Sequence, residues 1–432
     1  MKSMIPTKTG LALIILMVLA VAVYAGGGQE SRGGAAGSGP VSGELEIFSW
    51  WTRGGEADAL LALIDLYNKK YPEVEVINAT VAGGAGFNAK AVLTTRMQGG
   101  DPPDTFQIHA GQELIGTWAG TGLLEPVNFI FQENNWLSVY PKDVINILSS
   151  KDGKIWSVPP NVHRVNVLWY NKDVVKQAGL GQPKSFDDFF GMADKLKARG
   201  IVPLAHGDKE IWVSTTLFEN VLLGALGADG YRGLFDGKIR WDSAQTRKAV
   251  ELFLRVLDYA NSDHAALNWD ESADLMIAGK AASLIMGDWA EGYFKTKGFS
   301  PTDKLGWVPS MGSAGTFNAV SDSFCLPVKA KNRRAVIEWL KLIGSKEGQD
   351  VFNPIKGSIP PRTDCDVSLY DEYLQDSMKD YAADEIVPSI THGAAVAEPW
   401  AVAINEVVTM LVSNRDVNAA LKSLQQAYEE NQ

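Results

Sequence analysis

The chain has 432 residues, 46% of them hydrophobic and 21% charged, with a formal net charge of -11 at neutral pH. An acidic surface repels phosphate backbones and anionic headgroups, so neither nucleic acid nor an anionic membrane is expected as a partner. Gly279-Lys280 lacks the Ser or Thr that a P-loop needs next, and no cofactor or metal is expected.

The chain opens on a basic region with Lys2 and Lys8. Residues 10–23 (GLALIILMVLAVAV) follow as an apolar run of signal-peptide length, short for a membrane span. Val23-Tyr24-Ala25 suits cleavage after Ala25, so residues 1–25 are expected to be a signal peptide; an uncleaved anchor is the alternative. Losing Lys2 and Lys8 takes the charge from -11 to -13. Residues 26–43 are rich in Gly and Ser and read as a flexible tether. About 390 residues remain, more than one ordinary core holds, which implies two domains.

Residues 44–50 (ELEIFSW) read as a buried strand. Residues 56–71 carry Leu60, Leu61, Ile64, Leu66 and Tyr67 at helical spacing. A strand over 74–81, a helix over 85–99 stopped by GGDPP, a strand over 105–110 and a helix near 113–120 complete a β-α-β-α-β alternation. That alternation implies a largely parallel sheet with helices on both faces. Beyond Lys154 helix predominates. Strands are expected at 155–158, 165–170, 281–286 and 323–328. Helices are expected at 187–199, 213–226, 243–259, 270–278, 333–344, 346–352, 397–414 and 418–429. The two cysteines, Cys325 and Cys365, could pair in an exported protein. Cys325 lies in an apolar run, which favours buried free thiols.

Ligands of open α/β sheets bind beyond the C-terminal ends of the strands. The first strand ends in Trp50-Trp51, before Arg53 and Glu56. The third carries Gln107 and His109 on one face, with Phe106 and Ile108 on the other. The strand over 281–286 is followed by Gly287, Asp288 and Trp289, and Asp288 stands where a helix N-cap would. Trp50 and Trp51 are adjacent and point to opposite sides, so one of them suits the core. This mixture suits a pyranose. Indole covers the apolar face of C–H groups, and carboxylates and amides satisfy hydroxyls that would be costly to bury unpaired.

These segments resemble the extracellular solute-binding proteins of ATP-driven sugar importers, the type that includes maltose-binding protein. The resemblance rests on residues 153–171 (GKIWSVPPNVHRVNVLWYN), 279–289 (GKAASLIMGDW) and 332–349. LEIFSWW (45–51), GGDPPDTFQIHAG (99–111) and SDSFCLP (321–327) look most like the glucose-, galactose- and mannose-binding members. The resemblance implies a two-lobed α/β fold of the type II periplasmic-binding-protein kind, each lobe a mainly parallel sheet flanked by helices, with ligand in the cleft. It implies Trp50, Trp51, Glu56, Gln107, His109, His163, Trp269, Asp288, Asp322, Lys356 and His392 as candidate contacts, with Trp289 beside them. Family members are often lipidated, but no Cys follows the apolar run here.

The expected lobes are residues 44–158 with 316–361, and 163–315 with 362–432. Crossings fall near 158–163, 312–317 and 360–364, at boundaries marked by Pro and Gly. The expected function is capture of a monosaccharide, glucose or a related hexose, by lobe closure. The captor would be a monomer of the periplasm or an equivalent space, delivering sugar to an ABC-type permease, with no enzymatic step. The alternatives are a disaccharide, another neutral solute or a polyamine. More remote is a glycoside hydrolase, which needs two opposed carboxylates.

Overall fold

The computed structural model describes residues 40–431. The expected signal peptide and the tether up to residue 39 lie outside the described residues. Among the described residues no helix is long and apolar enough to cross a membrane.

Strands β1 (Gly43–Ser49), β2 (Val74–Thr80) and β3 (Thr105–His109) alternate with helices Gly54–Lys70 and Phe87–Gly99. β1 lies between β2 and β3 and runs parallel to both. The first helix buries Ala59, Leu60, Leu63, Ile64 and Tyr67, a stripe at spacings of three and four that faces the core. Gly100, with φ +76°, stops the second helix in the left-handed conformation that glycine adopts without strain.

Nine further strands follow. They are β4 (Ser157–Val158), β5 (His163–Arg164), β6 (Val167–Asn171), β7 (Val202–Ala205), β8 (Ala281–Ile285), β9 (Leu305–Pro309), β10 (Thr316–Val320), β11 (Asp322–Cys325) and β12 (Glu385–Pro388). The first sheet has the order β2-β1-β3-β11-β4, and β11 is antiparallel to both its neighbours. A second sheet has the order β7-β8-β6-β9, in which only β7 and β8 are parallel. A third, β12-β10-β5, joins a parallel to an antiparallel pair. The parallel alternation read from the sequence therefore holds over β1–β3, while strands returning from later in the chain run against their neighbours. β10 pairs with β5 and β12, so residues 316–320 stand outside the five-stranded sheet. The chain enters that sheet only after Ser321, whose hydroxyl donates to the Asn161 carbonyl at 2.7 Å.

One apolar cluster surrounds the five-stranded sheet, with Ile47, Phe106, Phe324 and Trp339 fully buried. Phe189, Phe218, Trp241 and Phe253 anchor a second among the later helices. Trp169, Leu284 and Phe317 anchor a third along the other sheets. Both thiols are free, and Cys325 is buried in the first cluster.

Several elements differ from expectation. The helix expected near 113–120 is a single wide turn, Glu113–Trp118. The strand expected over 323–328 closes at Cys325. The helix expected over 213–226 runs from Trp212 to Gly233 with a break at Gly227, whose φ is +69°. Asp288 does not cap the helix Trp289–Thr296. It has helical dihedral angles itself, and its carboxylate turns away to His163 and to the Arg164 amide.

Candidate ligand-binding site

A cavity of about 200 Å³ lies where the ends of β1 and β3 and the start of β11 face β5 and the segments after β8 and β12. Its first wall begins where β1 runs out. The Trp50 amide donates to Gln107 Oε1 at 3.2 Å, which fixes the strand end against β3. The Trp50 ring tilts against His109, centroids 5.0 Å apart, and lies over Gly86. The Trp51 ring packs between Phe324 and Phe352, and the residue lines the cavity. The Lys356 ammonium stands 5.5 Å from the Trp51 ring centre and donates to Glu56 Oε1 at 2.8 Å.

Strand register sets the polar centre. β3 and β11 pair so that His109 lies opposite Asp322. Gln107 Nε2 donates to Asp322 Oδ1 at 2.7 Å, and Asn161 Nδ2 donates to Asp322 Oδ2 at 2.8 Å. Burial pushes the Asp322 carboxyl up, but hydrogen bonding from His163 and the charge of Lys356 outweigh it and hold it well below its ordinary value. Asp322 is thus a buried anion with its outer lone pairs already ordered.

Three imidazoles surround it. His109 Nδ1 contacts Glu113 Oε2 at 2.9 Å, and Lys90 donates to the same oxygen at 2.8 Å. His163 Nδ1 is bonded to Asp288, and its Nε2 lies 3.0 Å from Asn161 Nδ2. Burial and Lys356 push His163 down, yet the Asp288 carboxylate raises it overall. His392 is different: burial and the nearby charges of His109 and Lys90 hold it well below its ordinary value, so it is a neutral imidazole.

The opposite wall is aromatic. Trp212 and Trp289 lie 6.0 Å apart, and His392 contacts both. Trp269, on the helix Trp269–Ile277, completes this side. Of the residues expected at the site, Trp50, Trp51, Glu56, His109, His163, Trp269, Trp289, Asp322, Lys356 and His392 line the cavity. Gln107 and Asp288 do not. Both are fully buried behind it, Gln107 holding Trp50 and Asp322, and Asp288 holding His163.

Sequence reasoning passed over the loop Ala82-Gly83-Gly84-Ala85, together with Asn88, Glu210, Trp212, Asn268 and Asp270, which also line the cavity. Glu210 Oε2 accepts from the Gly84 amide and from Trp212 Nε1, each at 3.0 Å. Arg53 approaches Asp270 at 3.4 Å. The Gly83-Gly84 pair was the one local signal of a backbone shaped for close approach. Nothing around Glu210 or Trp212 indicated that the fold returns them to that loop, Glu210 from 126 positions further along the chain than Gly84.

The chain belongs to the bacterial extracellular solute-binding protein family, which it matches over residues 53–350. It is 40% identical to an uncharacterized ABC transporter extracellular-binding protein of Pyrococcus horikoshii, over 95% of this chain and 93% of that protein. It is 32% identical to a probable sugar-binding periplasmic protein of Brucella suis, over 88% and 89% of the two chains. A bacterial solute receptor of solved structure, with an exclusive preference for β-D-galactopyranose, superposes with a TM-score of 0.79 at 19% identity. The match covers 90% of this chain and 98% of that one. At such identity the likeness shows the fold alone: a two-lobed α/β binding protein with its cleft between the lobes.

Proposed function

We propose that this protein captures a monosaccharide, glucose or a related hexose, outside the cytoplasmic membrane and passes it to an ABC-type permease. The observation that carries the reading is the cavity itself. Indole rings stand on two sides of a buried anion, His109, His163 and a Glu56–Lys356 pair. Indole suits the C–H face of a pyranose, and the polar groups suit its hydroxyl rim. A cavity of about 200 Å³ is small beside the roughly 300–1,000 Å³ of drug-sized sites, which favours one sugar ring over an oligosaccharide. The sugar-binding description of the Brucella relative agrees with this reading.

On this proposal one lobe holds residues 44–158 and 321–361, and the other holds residues 163–315 and 362–431. The strand β10, paired with β5 and β12, carries the chain across between residues 315 and 321. The receptor works as a monomer and makes no covalent bond to its ligand. Sugar stabilises the closed form because only there do both lobes touch it. The test is a thermal-shift screen of the exported chain with hexoses, pentoses, disaccharides and polyamines, followed by calorimetry on the hits. A hexose that raises the melting temperature by binding the folded state is the expected result. A shift with polyamines or only with disaccharides would overturn the monosaccharide reading.

A further inference from the structure

Behind the aromatic wall lies a buried carboxylate that the binding reading above does not use. Glu219 sits mid-helix in Trp212–Gly233 and is fully buried. Its Oε2 accepts from the Ile390 amide at 2.6 Å and the Thr391 amide at 3.3 Å, and it lies 3.2 Å from the Tyr231 hydroxyl. Its Oε1 lies 2.9 Å from Ser389 Oγ. Ser389 Oγ in turn lies 3.0 Å from His392 Nδ1 and 3.3 Å from the His392 amide. The chain of contacts thus runs from Glu219 through Ser389 to a ring that lines the cavity.

The direction of these bonds follows from counting protons. A carboxylate that gathers two backbone N–H donors is favoured as the anion, and an anion only accepts. Burial raises the Glu219 carboxyl above its ordinary value, while the Ile390 and Thr391 amides and Ser389 pull the other way; we take the anion that those three donors favour. Ser389 has a single proton, and Glu219 claims it. What remains on Ser389 Oγ is lone pairs, so His392 must donate through both its amide and Nδ1. A neutral imidazole with its proton on Nδ1 has a bare nitrogen at Nε2. Among the described residues no hydrogen bond reaches that nitrogen.

We propose that Glu219, acting through Ser389, is a positioning residue that fixes His392 in the Nδ1–H tautomer, so that Nε2 meets the ligand as an acceptor. The selectivity that follows rests on the proposed sugar reading: the ligand must offer a donating hydroxyl at this point, and a fluorine there cannot substitute for it. An unpaired buried acceptor is costly, so the discrimination is expected to be about tenfold or more.

The tautomer can be read without any ligand. Long-range nitrogen–proton NMR on histidine-labelled protein reports which nitrogen of His392 carries the proton. The wild type is expected to show Nδ1–H. Ser389→Ala, which leaves Glu219 its backbone donors, is expected to shift His392 towards Nε2–H and to weaken hexose binding about tenfold. Glu219→Gln is expected to move the tautomer in the same direction. A wild-type protein with Nε2–H overturns the proposal, as does a Ser389→Ala protein that keeps both Nδ1–H and full affinity. Should the wild type show Nδ1–H while no hexose binds, the relay stands and the sugar reading falls. A panel of monofluorinated deoxyhexoses completes the test. One position should lose affinity in the wild type and regain relative affinity in Ser389→Ala.

Discussion

Trp50 and Trp51 are neighbours with different tasks. Trp51 is clamped by Phe324 and Phe352, whereas Trp50 lies over a glycine and beside His109. Trp51→Ala removes a filled core position and is expected to cost about 3–5 kcal/mol of stability. Trp50→Ala is expected to cost less stability but about 1–3 kcal/mol of hexose affinity, the size of a lost stacking partner. Denaturant unfolding and calorimetry on both variants separate the two effects, and equal losses in both would contradict the division. Asp322 carries a pH dependence. Its folded-state carboxyl is depressed, so its stabilisation is fully present above the unfolded value of about 3.9. That contribution is lost as pH falls through the lower folded value. Asp322→Asn is expected to flatten the acid limb of stability below about pH 4, read by thermal melts across that range. The sequence made this residue visible through its motif, but not why it is charged. That follows from His163 and Lys356, which the fold brings to it from two distant stretches of the chain.

At the scale of elements, β1–β3 and their two helices were legible because each segment is local. A period of two followed by a period near 3.6 needs no partner to be read. The turn 82–86 was not legible as part of the site, since its place depends on what packs against it. Gly86 has φ +75°, and a Cβ there would stand 2.6 Å from the Trp50 ring. Gly86→Ala therefore strains the backbone and displaces the indole together. It is expected to cost about 1 kcal/mol or more of stability and to weaken hexose binding, both measurable on one preparation. Unchanged affinity would mean that Trp50 does not stack on the ligand. Asp288 illustrates the opposite failure. A residue ahead of a helix reads locally as a cap, but here a buried histidine 125 residues away claims its carboxylate. Local propensity lost to a tertiary partner that one sequence cannot reveal. Asp288→Asn is accordingly expected to disturb His163 and lower hexose affinity, where a mere cap would tolerate Asn nearly unchanged.

Across the whole molecule, polar contacts span the cleft beside the close packing of the helix Gly54–Lys70 on the helix Trp289–Thr296. Glu210 holds the Gly84 amide, and Arg53 meets Asp270. Lys90 bridges Glu113 and Glu398, and the Gln112 and Glu113 amides donate to the carbonyls of Ala394 and Gly393. On the proposed lobe division each joins one lobe to the other. Their strengths differ. Arg53–Asp270 is half exposed on the arginine side and contributes at most about 1 kcal/mol. Glu210 is the better latch, because its carboxylate takes a backbone N–H of the other lobe and is held in place by Trp212 Nε1 of its own. Glu210→Ala breaks the bond to the Gly84 amide, which on this division exists only where the lobes meet, so it acts on the balance between open and closed forms. Apparent affinity scales with the fraction of binding-competent protein. The loss of one charge-assisted hydrogen bond, about 1.5–3 kcal/mol, is therefore expected to weaken hexose binding roughly tenfold or more. The loss should appear mainly in the dissociation rate, since the latch forms after the sugar has entered. The melting temperature without sugar should move little, because each lobe keeps its own core. Stopped-flow fluorescence of Trp50 and its neighbours, with a ligand-free melt beside it, tests both halves. An unchanged dissociation rate, or a large fall in ligand-free stability, would show that Glu210 supports the fold and does not govern closure.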